Sequence, residues 1–294
     1  MSLIAIIGPS GSGKSALGLE LALSLNAPIV SLDSLSVYQE LDIASAKPSP
    51  KELEIVKHYG VNVLKIPQKN NAQVFKTELE RAMLEHETLL IVGGSGFYLK
   101  ALIDGLSPKP SITQAQEQEI LEKIRALKDP HAFLAQIDPT YATSAIDPYR
   151  TTQGLKLYFA TNTPPSLYFQ EHPKEPFKHP IRVFVLALDK ATLHAQIAQR
   201  TKNMLKQGMV QEIHALAQKY GAHCQPFKAI GPKECLQYLN QEIGPTELEN
   251  LITTHTCQLA KRQMTFNKAQ FKNARFLSPI EIKKEVLSLN ARAQ

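Results

Sequence analysis

The chain has 294 residues, 43% of them hydrophobic and 20% charged, enough for one large domain or two modest ones with cores of their own. Its net charge of +6 suits a polyanionic partner without requiring one. Cys224, Cys235 and Cys257 are odd in number, widely spaced and without a C-x-x-C pair, which argues against a disulfide framework and a zinc knuckle, and no apolar run reaches the length of a membrane span, so a reducing cytoplasmic setting with no membrane partner is expected.

Leu3-Ile4-Ala5-Ile6-Ile7 is a continuous apolar run stopped by Gly8, the pattern of a strand covered on both faces. It is short, lacks a basic leader and runs straight into a glycine-rich loop, so no secretory leader is expected. Leu17, Leu21 and Leu25 then mark one face of a helix over Lys14–Leu25. Residues 28–32 make a second short strand that delivers Asp33 at its carboxyl end. Phe75, Leu79, Ala82 and Met83 set a helix over residues 74–87, and residues 89–92 a third buried strand ended by Gly93-Gly94. Strand, helix and strand alternating through short loops predict an α/β class with a mainly parallel, doubly wound sheet.

From residue 111 to 170 the pattern predicts helices and no strand: Ile120, Leu121, Ile124 and Leu127 mark one, Leu155, Tyr158 and Phe159 another. Pro108 and Pro110 precede this region; Pro173, Pro176 and Pro180 follow it. Residues 181–188 return to a strong strand, and a helix continues to about Gln207. The predicted organisation is an α/β core in two parts, residues 1–107 and 181–294, interrupted by a helical insertion over residues 108–180. Residues 250–280 contain no Asp or Glu but carry Lys261, Arg262, Lys268, Lys272 and Arg275, with Phe266, Phe271 and Phe276 between them. Such a run offers phosphate contacts and stacking faces together; a solvated amphipathic helix end accounts for it equally well.

Gly8-Pro9-Ser10-Gly11-Ser12-Gly13-Lys14-Ser15 matches G-x-x-x-x-G-K-[ST] in full, between a predicted strand and a predicted helix as the motif requires. The glycines let the backbone wrap an anion so that several N–H groups and the helix N-terminus face it. Lys14 neutralises the terminal phosphate, and the Ser15 hydroxyl is placed to ligate Mg²⁺. The core is therefore expected to be P-loop NTPase-like and to hold a phosphate or diphosphate, of which molecule the loop does not say. P-loop NTPases also hold Mg²⁺ through an acid that ends a neighbouring strand. Here the strand at 89–92 ends in Gly93-Gly94-Ser95-Gly96. The remaining strand-end acid is Asp33, open to service as a Mg²⁺ ligand, as a general base, or as a plain cap for its own loop with Ser34 and Ser36.

Three further blocks run in order along the chain. They are Ser31-Leu32-Asp33-Ser34 with Tyr38 and Asp42-Ile43-Ala44-Ser45-Ala46-Lys47-Pro48; Val92-Gly93-Gly94-Ser95-Gly96-Phe97-Tyr98; and Gln258-Leu259-Ala260-Lys261-Arg262-Gln263-Met264-Thr265-Phe266. With the phosphate loop, they resemble the DS…Y…MDIGTAKP, VGGTxLY and QLAKRQxTW stretches of the tRNA dimethylallyltransferase (tRNA isopentenyltransferase) family, from Ile4 to about Phe276. The chain departs from that pattern at Ala44 and Ser45, at Ser95 in place of Thr, at Gln153-Gly154-Leu155-Lys156, at Pro232 and at Phe266, mostly in the parts that touch RNA in that family.

The resemblance implies transfer of a dimethylallyl group from dimethylallyl diphosphate to the exocyclic amine of the adenosine next to the anticodon on its 3′ side in tRNA. It implies that the loop Gly8, Pro9, Ser10, Gly11, Ser12, Gly13, Lys14 and Ser15 holds the donor diphosphate with Mg²⁺ at Ser15, and that Ser95 and Arg200 help to hold or activate it. Without it, Arg200 reads as part of a solvated helix face. Asp33 would meet the amine and take its proton. Asp33, Ser34, Leu35, Ser36, Arg150, Lys233, Lys261, Arg262, Gln263, Phe266 and Lys268 would contact the anticodon stem-loop, with the insertion closing over it, and a monomer is expected. The rival readings are a small-molecule or nucleotide kinase, a P-loop switch or RNA-binding factor, and an adenylate isopentenyltransferase with a free nucleotide acceptor. The absent strand-end acid argues against hydrolysis, and the basic run and long insertion favour RNA. His194 and His214 sit at helical spacing with no partner motif and read as structural.

Overall fold

A computed structural model describes residues 1–291. β1 (Ser2–Ile7), β2 (Ile29–Ser31), β3 (His58–Tyr59), β4 (Thr88–Gly93), β5 (Ile181–Leu186) and β6 (Arg275–Leu277) form one sheet in the order β3-β2-β4-β1-β5-β6. Every neighbouring pair is parallel. Ile4 sits opposite Leu90 on one side and Arg182 on the other. A parallel sheet covered by helices on both faces needs strands without polar alternation, and Leu3 to Ile7 are each at most 3% exposed.

Leu17, Leu21 and Ala22 of the helix Lys14–Leu25, with Ile282 and Val286 of the helix Pro279–Ala291, cover one face of this sheet. They pack on Ile4, Ile6, Leu90, Val92, Phe184 and Leu186, each such side chain contributing about 1.5–3 kcal/mol on burial. β1 lies between β4 and β5, so successive crossovers leave it in opposite directions. In open α/β sheets the crevice beyond the carboxyl ends of the strands at such a point receives ligands. The loops after β1, β2 and β4 open there, carrying the phosphate loop, Asp33 and Ser95.

The element boundaries differ from the sequence reading where side-chain caps decide them. Asn71 accepts from the Gln73 N–H at 2.9 Å, so the helix expected from 74 begins at Ala72 and runs to Glu85. β5 stops at Leu186 because Asp189 accepts from the Thr192 N–H at 2.9 Å and opens the helix Lys190–Lys206. β3 and β6, at the sheet edges, are too short to show any period and were not expected.

By its internal contacts the chain divides into two compact units, residues 1–103 with 178–294, and residues 104–177. The second unit contains helices Gln114–Arg125, Pro130–Ile137, Pro139–Ala142, Pro148–Thr161 and Pro165–Glu171, around Ile120, Ile124, Leu134, Ala142, Ala145 and Leu155. Only two helices were expected there. The others are too short for hydrophobic periodicity, but they carry a different signal: Asp129-Pro130, Asp138-Pro139 and Asp147-Pro148 are each an N-cap followed by proline at the first helical position. Among the described residues no helix is long and apolar enough to cross a membrane.

Candidate functional site

The phosphate loop owes its shape to backbone conformations that side chains disfavour. Gly11 and Gly13 both have φ near +81°, and a Cβ on Gly11 would lie 2.6 Å from Ile197 Cγ1. Gly13, left-handed, is the N-cap of the helix Lys14–Leu25 and has no side chain to satisfy its N–H groups, so these remain open to an anion. The Ser12 Oγ, buried, has no partner among the described residues. Lys14 Nζ donates to Pro9 O at 3.2 Å, which leaves ammonium protons for a ligand. Ser15, exposed in the first turn, presents its hydroxyl to the same space.

Beyond the loop lies a cavity of about 410 Å³ lined by Asp33, Ser95, Arg200, Arg262, Gln263 and Phe266, among others. A smaller one of about 70 Å³ is bounded by Lys14, Ser15, Ser31, Ser36, Asp33 and Arg200. Ser10, Asp33 and Arg200 line both, so phosphate loop and carboxylate face a shared space. Burial pushes the Lys14 ammonium down from an ordinary 10.5 to about 8, the Arg200 charge pushing the same way and Asp33 opposing them. Burial likewise lowers the Arg200 pKa, again against Asp33. Two cations and one carboxylate leave a net positive, poorly solvated site, which an anion completes.

Asp33 fills one of the roles left open for it and keeps an oxygen free for another. Its Oδ1 accepts from the Leu35 N–H at 2.8 Å and the Ser36 N–H at 3.1 Å, a loop cap. Among the described residues no donor reaches Oδ2, and the side chain lines both cavities. Leu35 lines the larger cavity, Ser34 is exposed, and the Ser36 hydroxyl is buried 3.2 Å from Ser31 Oγ. Ser95 N–H donates to Leu32 O at 3.4 Å, and its Oγ accepts from the Tyr98 N–H at the start of the helix Gly96–Asp104.

The other candidates divide by environment. Lys261, Arg262, Gln263, Phe266 and Lys268 lie on the 26-residue helix Pro245–Gln270. Arg262 and Phe266 reach the larger cavity, where Phe97 stands edge-on to Phe266 at 6.5 Å. Lys261 and Lys268 are exposed along a separate groove on that helix. Gln263 has both ends of its amide engaged within the protein, with Ser10 N–H and Gly94 O. Lys233, on the helix Pro232–Leu239, is exposed and borders neither cavity. Arg150 lies in the second unit, paired with Asp147 at 3.3 Å. Of the stacking faces expected at Phe271 and Phe276, that of Phe271 is not available, since it is 6% exposed; Phe276 is half-buried in β6, where Arg275 pairs with Glu285. The helix ends at Gln270, so the sequence run folds into three separate surroundings.

Sequence reading missed Glu212. From the first turn of the helix Met209–Tyr220, its Oε1 accepts from the N–H groups of Asp42 and Ile43 at 2.7 and 2.8 Å, and its Oε2 from that of Ala44 at 2.8 Å. One carboxylate thus fixes the turn that carries Ala44 and Ser45 to the cavity wall. No motif marks it, because its partners are backbone groups 168 to 170 positions away. Among the described residues no three His, Cys, Asp or Glu side chains cluster as a metal site.

Residues 36–270 match a family model described as IPP transferase. The tRNA dimethylallyltransferase of Helicobacter pylori is 50% identical over 289 residues, 97% of this chain and 93% of that protein. That of Nautilia profundicola is 45% identical over 97% of this chain and 98% of its own. Among solved structures, the tRNA delta(2)-isopentenylpyrophosphate transferase of Staphylococcus epidermidis has a TM-score of 0.70 at 25% identity, covering 99% of each chain. A eukaryotic dimethylallyltransferase captured acting on tRNA has a TM-score of 0.76 at 27% identity, covering 90% of this chain and 69% of its own.

Proposed function

This chain belongs to the IPP transferase family, and we propose that it transfers a dimethylallyl group from dimethylallyl diphosphate to the exocyclic amine of the adenosine 3′-adjacent to the anticodon in tRNA, releasing diphosphate. The observation that carries this reading is the shared space itself: an anion cradle and a half-capped carboxylate line one space, while the strand that would supply a hydrolytic acid ends in glycines. The relatives' names agree with it.

As the allylic C–O bond breaks, its electron pair goes to the diphosphate. Lys14, Arg200 and the loop N–H groups are fixed where that charge grows, in a poorly solvated site where they count for more than in water. The adenine amine supplies the pair for the new C–N bond, and Asp33 Oδ2 takes the proton it sheds. Oδ1, held by Leu35 and Ser36, keeps the carboxylate from rotating away. The amine is a weak nucleophile, so orientation supplies much of the rate, and the base must leave its stack to enter. Leu32, Met204, Leu259, Phe97 and Phe266 give the same cavity an apolar side for the allyl group and the base.

The Ser15 hydroxyl and diphosphate oxygens are hard donors that suit Mg²⁺, which binds through substrate phosphates and waters more than through a protein cage. When bound, the ion supplies further neutralisation of the leaving group. Contacts from the exposed cations of the helix Pro245–Gln270 and from Arg150 to the anticodon stem-loop belong to the same reading, as do a monomeric state and a cytoplasmic location.

The test is incubation with radiolabelled dimethylallyl diphosphate, Mg²⁺ and unmodified tRNA. Wild type labels the tRNA, and Asp33→Ala lowers the rate about 10²–10⁴-fold. Full-rate transfer by that variant removes Asp33 as the base; ATP consumption without label transfer replaces the whole reading with a kinase.

A further inference from the structure

We propose that Gln263 is a positioning residue for the diphosphate donor, a strut that sets the gap between the phosphate loop and the loop after β4, and not an RNA contact. The proposal rests on the donor site described above. A carboxamide has one accepting and one donating end. Here Oε1 accepts from the Ser10 N–H at 2.8 Å and Nε2 donates to Gly94 O at 2.9 Å. Only this orientation of the amide satisfies both partners.

The need for a strut follows from the sheet. The β1–β4 ladder ends at Ile7 opposite Gly93, and beyond it, among the described residues, no backbone hydrogen bond joins the two loops. Ser10 belongs to the loop that wraps the diphosphate. Gly94 immediately precedes Ser95 and lies beside Lys14: a Cβ on Gly94 would fall 2.9 Å from Gln263 Nε2 and 3.5 Å from Lys14 Nζ. One planar amide therefore ties Ser10 to Gly94, the residue before Ser95, and so sets the spacing of the two loops beside Lys14. With one proton and one lone pair tied to the two loops, the head group cannot swing toward RNA without giving up these bonds, though it still borders the larger cavity. Its neighbours Lys261 and Arg262 are exposed and have no such obligation.

The test separates the two substrates. Gln263→Met, which keeps length and loses both bonds, is expected to lower kcat/KM for dimethylallyl diphosphate about 10- to 100-fold. The KM for tRNA and the salt dependence of tRNA binding stay at wild-type values. Gln263→Glu retains the acceptor for Ser10 but faces Gly94 O with a second acceptor, and falls at least as far. Gly94→Ala, which displaces the strut without altering Gln263, reproduces the donor-specific defect. Unchanged tRNA binding certifies that each variant is folded. A raised KM for tRNA with unchanged donor kinetics overturns the proposal, and so does wild-type behaviour toward both substrates. Failure of the underlying reading shows separately, as absence of label transfer by the wild-type enzyme.

Discussion

The larger cavity and the phosphate loop beside it are built in unlike ways. The loop is eight consecutive residues whose backbone, shaped by Gly11 and Gly13, presents N–H groups and one buried lysine. The facing wall is side chains gathered from positions 33, 95, 200, 263 and 266 on four different elements or loops. A site made of contiguous backbone is written in the sequence as a motif. A site made of converging side chains exists only once the sheet has brought its strand ends together. The first resists change everywhere except at a few atoms; the second can be altered one side chain at a time.

The largest break is expected on the loop side. On the proposed reading, Lys14→Ala removes a desolvated charge from the phosphate loop and is predicted to lower kcat about 10²–10³-fold, measured in single-turnover label transfer. Lys14→Arg keeps the charge but not the compact ammonium that fits beside Pro9 O and recovers only part of the rate.

The same contrast explains what could be read before the fold was known. β1, β4, β5 and the phosphate loop were legible because uninterrupted apolar strands and glycine spacing are local properties. Asp33 was legible as a strand-end acid, but its division of labour between a capping Oδ1 and an open Oδ2 was not, since it depends on the N–H groups of Leu35 and Ser36 turning back. Arg200 read as a solvated residue on a helix face by its local sequence, and only the resemblance singled it out. It lines the site because Ile197 of the same helix packs over Gly11, a contact with no sequence signature. Glu212 was missed for the same reason. The caps Asp129, Asp138 and Asp147 are legible as Asp-Pro pairs, but the helices that Asp129 and Asp138 open are too short to show a hydrophobic period.

Glu212 sharpens the comparison on the wall side. Glu212→Gln keeps the shape but offers one acceptor oxygen where three N–H groups need two, and it brings an NH₂ against them. Leaving such donors unsatisfied costs about 1–3 kcal/mol, so an activity loss of about 5- to 100-fold is predicted. Faster amide hydrogen exchange at Asp42, Ile43 and Ala44 would accompany it. Protection as in wild type would remove Glu212 from the positioning role.

Buried Lys14 also makes the loop sensitive to pH. With its pKa at about 8, the free enzyme begins to lose the ammonium just above neutrality, while a bound anion raises that pKa again. Affinity for dimethylallyl diphosphate is therefore predicted to fall as pH rises through 8, by up to about tenfold per unit. Calorimetry in buffers of different ionisation enthalpy should show proton uptake on binding at pH 9 and little at pH 7. Stability of the unliganded protein runs the other way. Between about 8 and 10.5 the folded state holds fewer protons on Lys14 than the unfolded state does, so this residue's contribution becomes more favourable as pH rises across that window.

The smallest effects belong to cations outside the desolvated site. Lys261 and Lys268 carry the same charge as Lys14 but stand exposed, with no ion pair among the described residues, so salt screens them. Each Lys→Ala change is predicted to take about 0.7–0.9 off the slope of log K against log salt for tRNA binding, with little loss of kcat and equally for every tRNA tested. Arg275, on the same basic run of sequence, is already paired with Glu285 in the structure, so Arg275→Ala should change that slope less than either lysine. Filter binding across a salt series distinguishes these cases. Equal slopes for all three variants would mean that the run acts as a diffuse positive field, with environment deciding nothing; a graded series would extend to the RNA side the rule Lys14 sets for the donor side, that surroundings and not charge alone fix what a cation contributes.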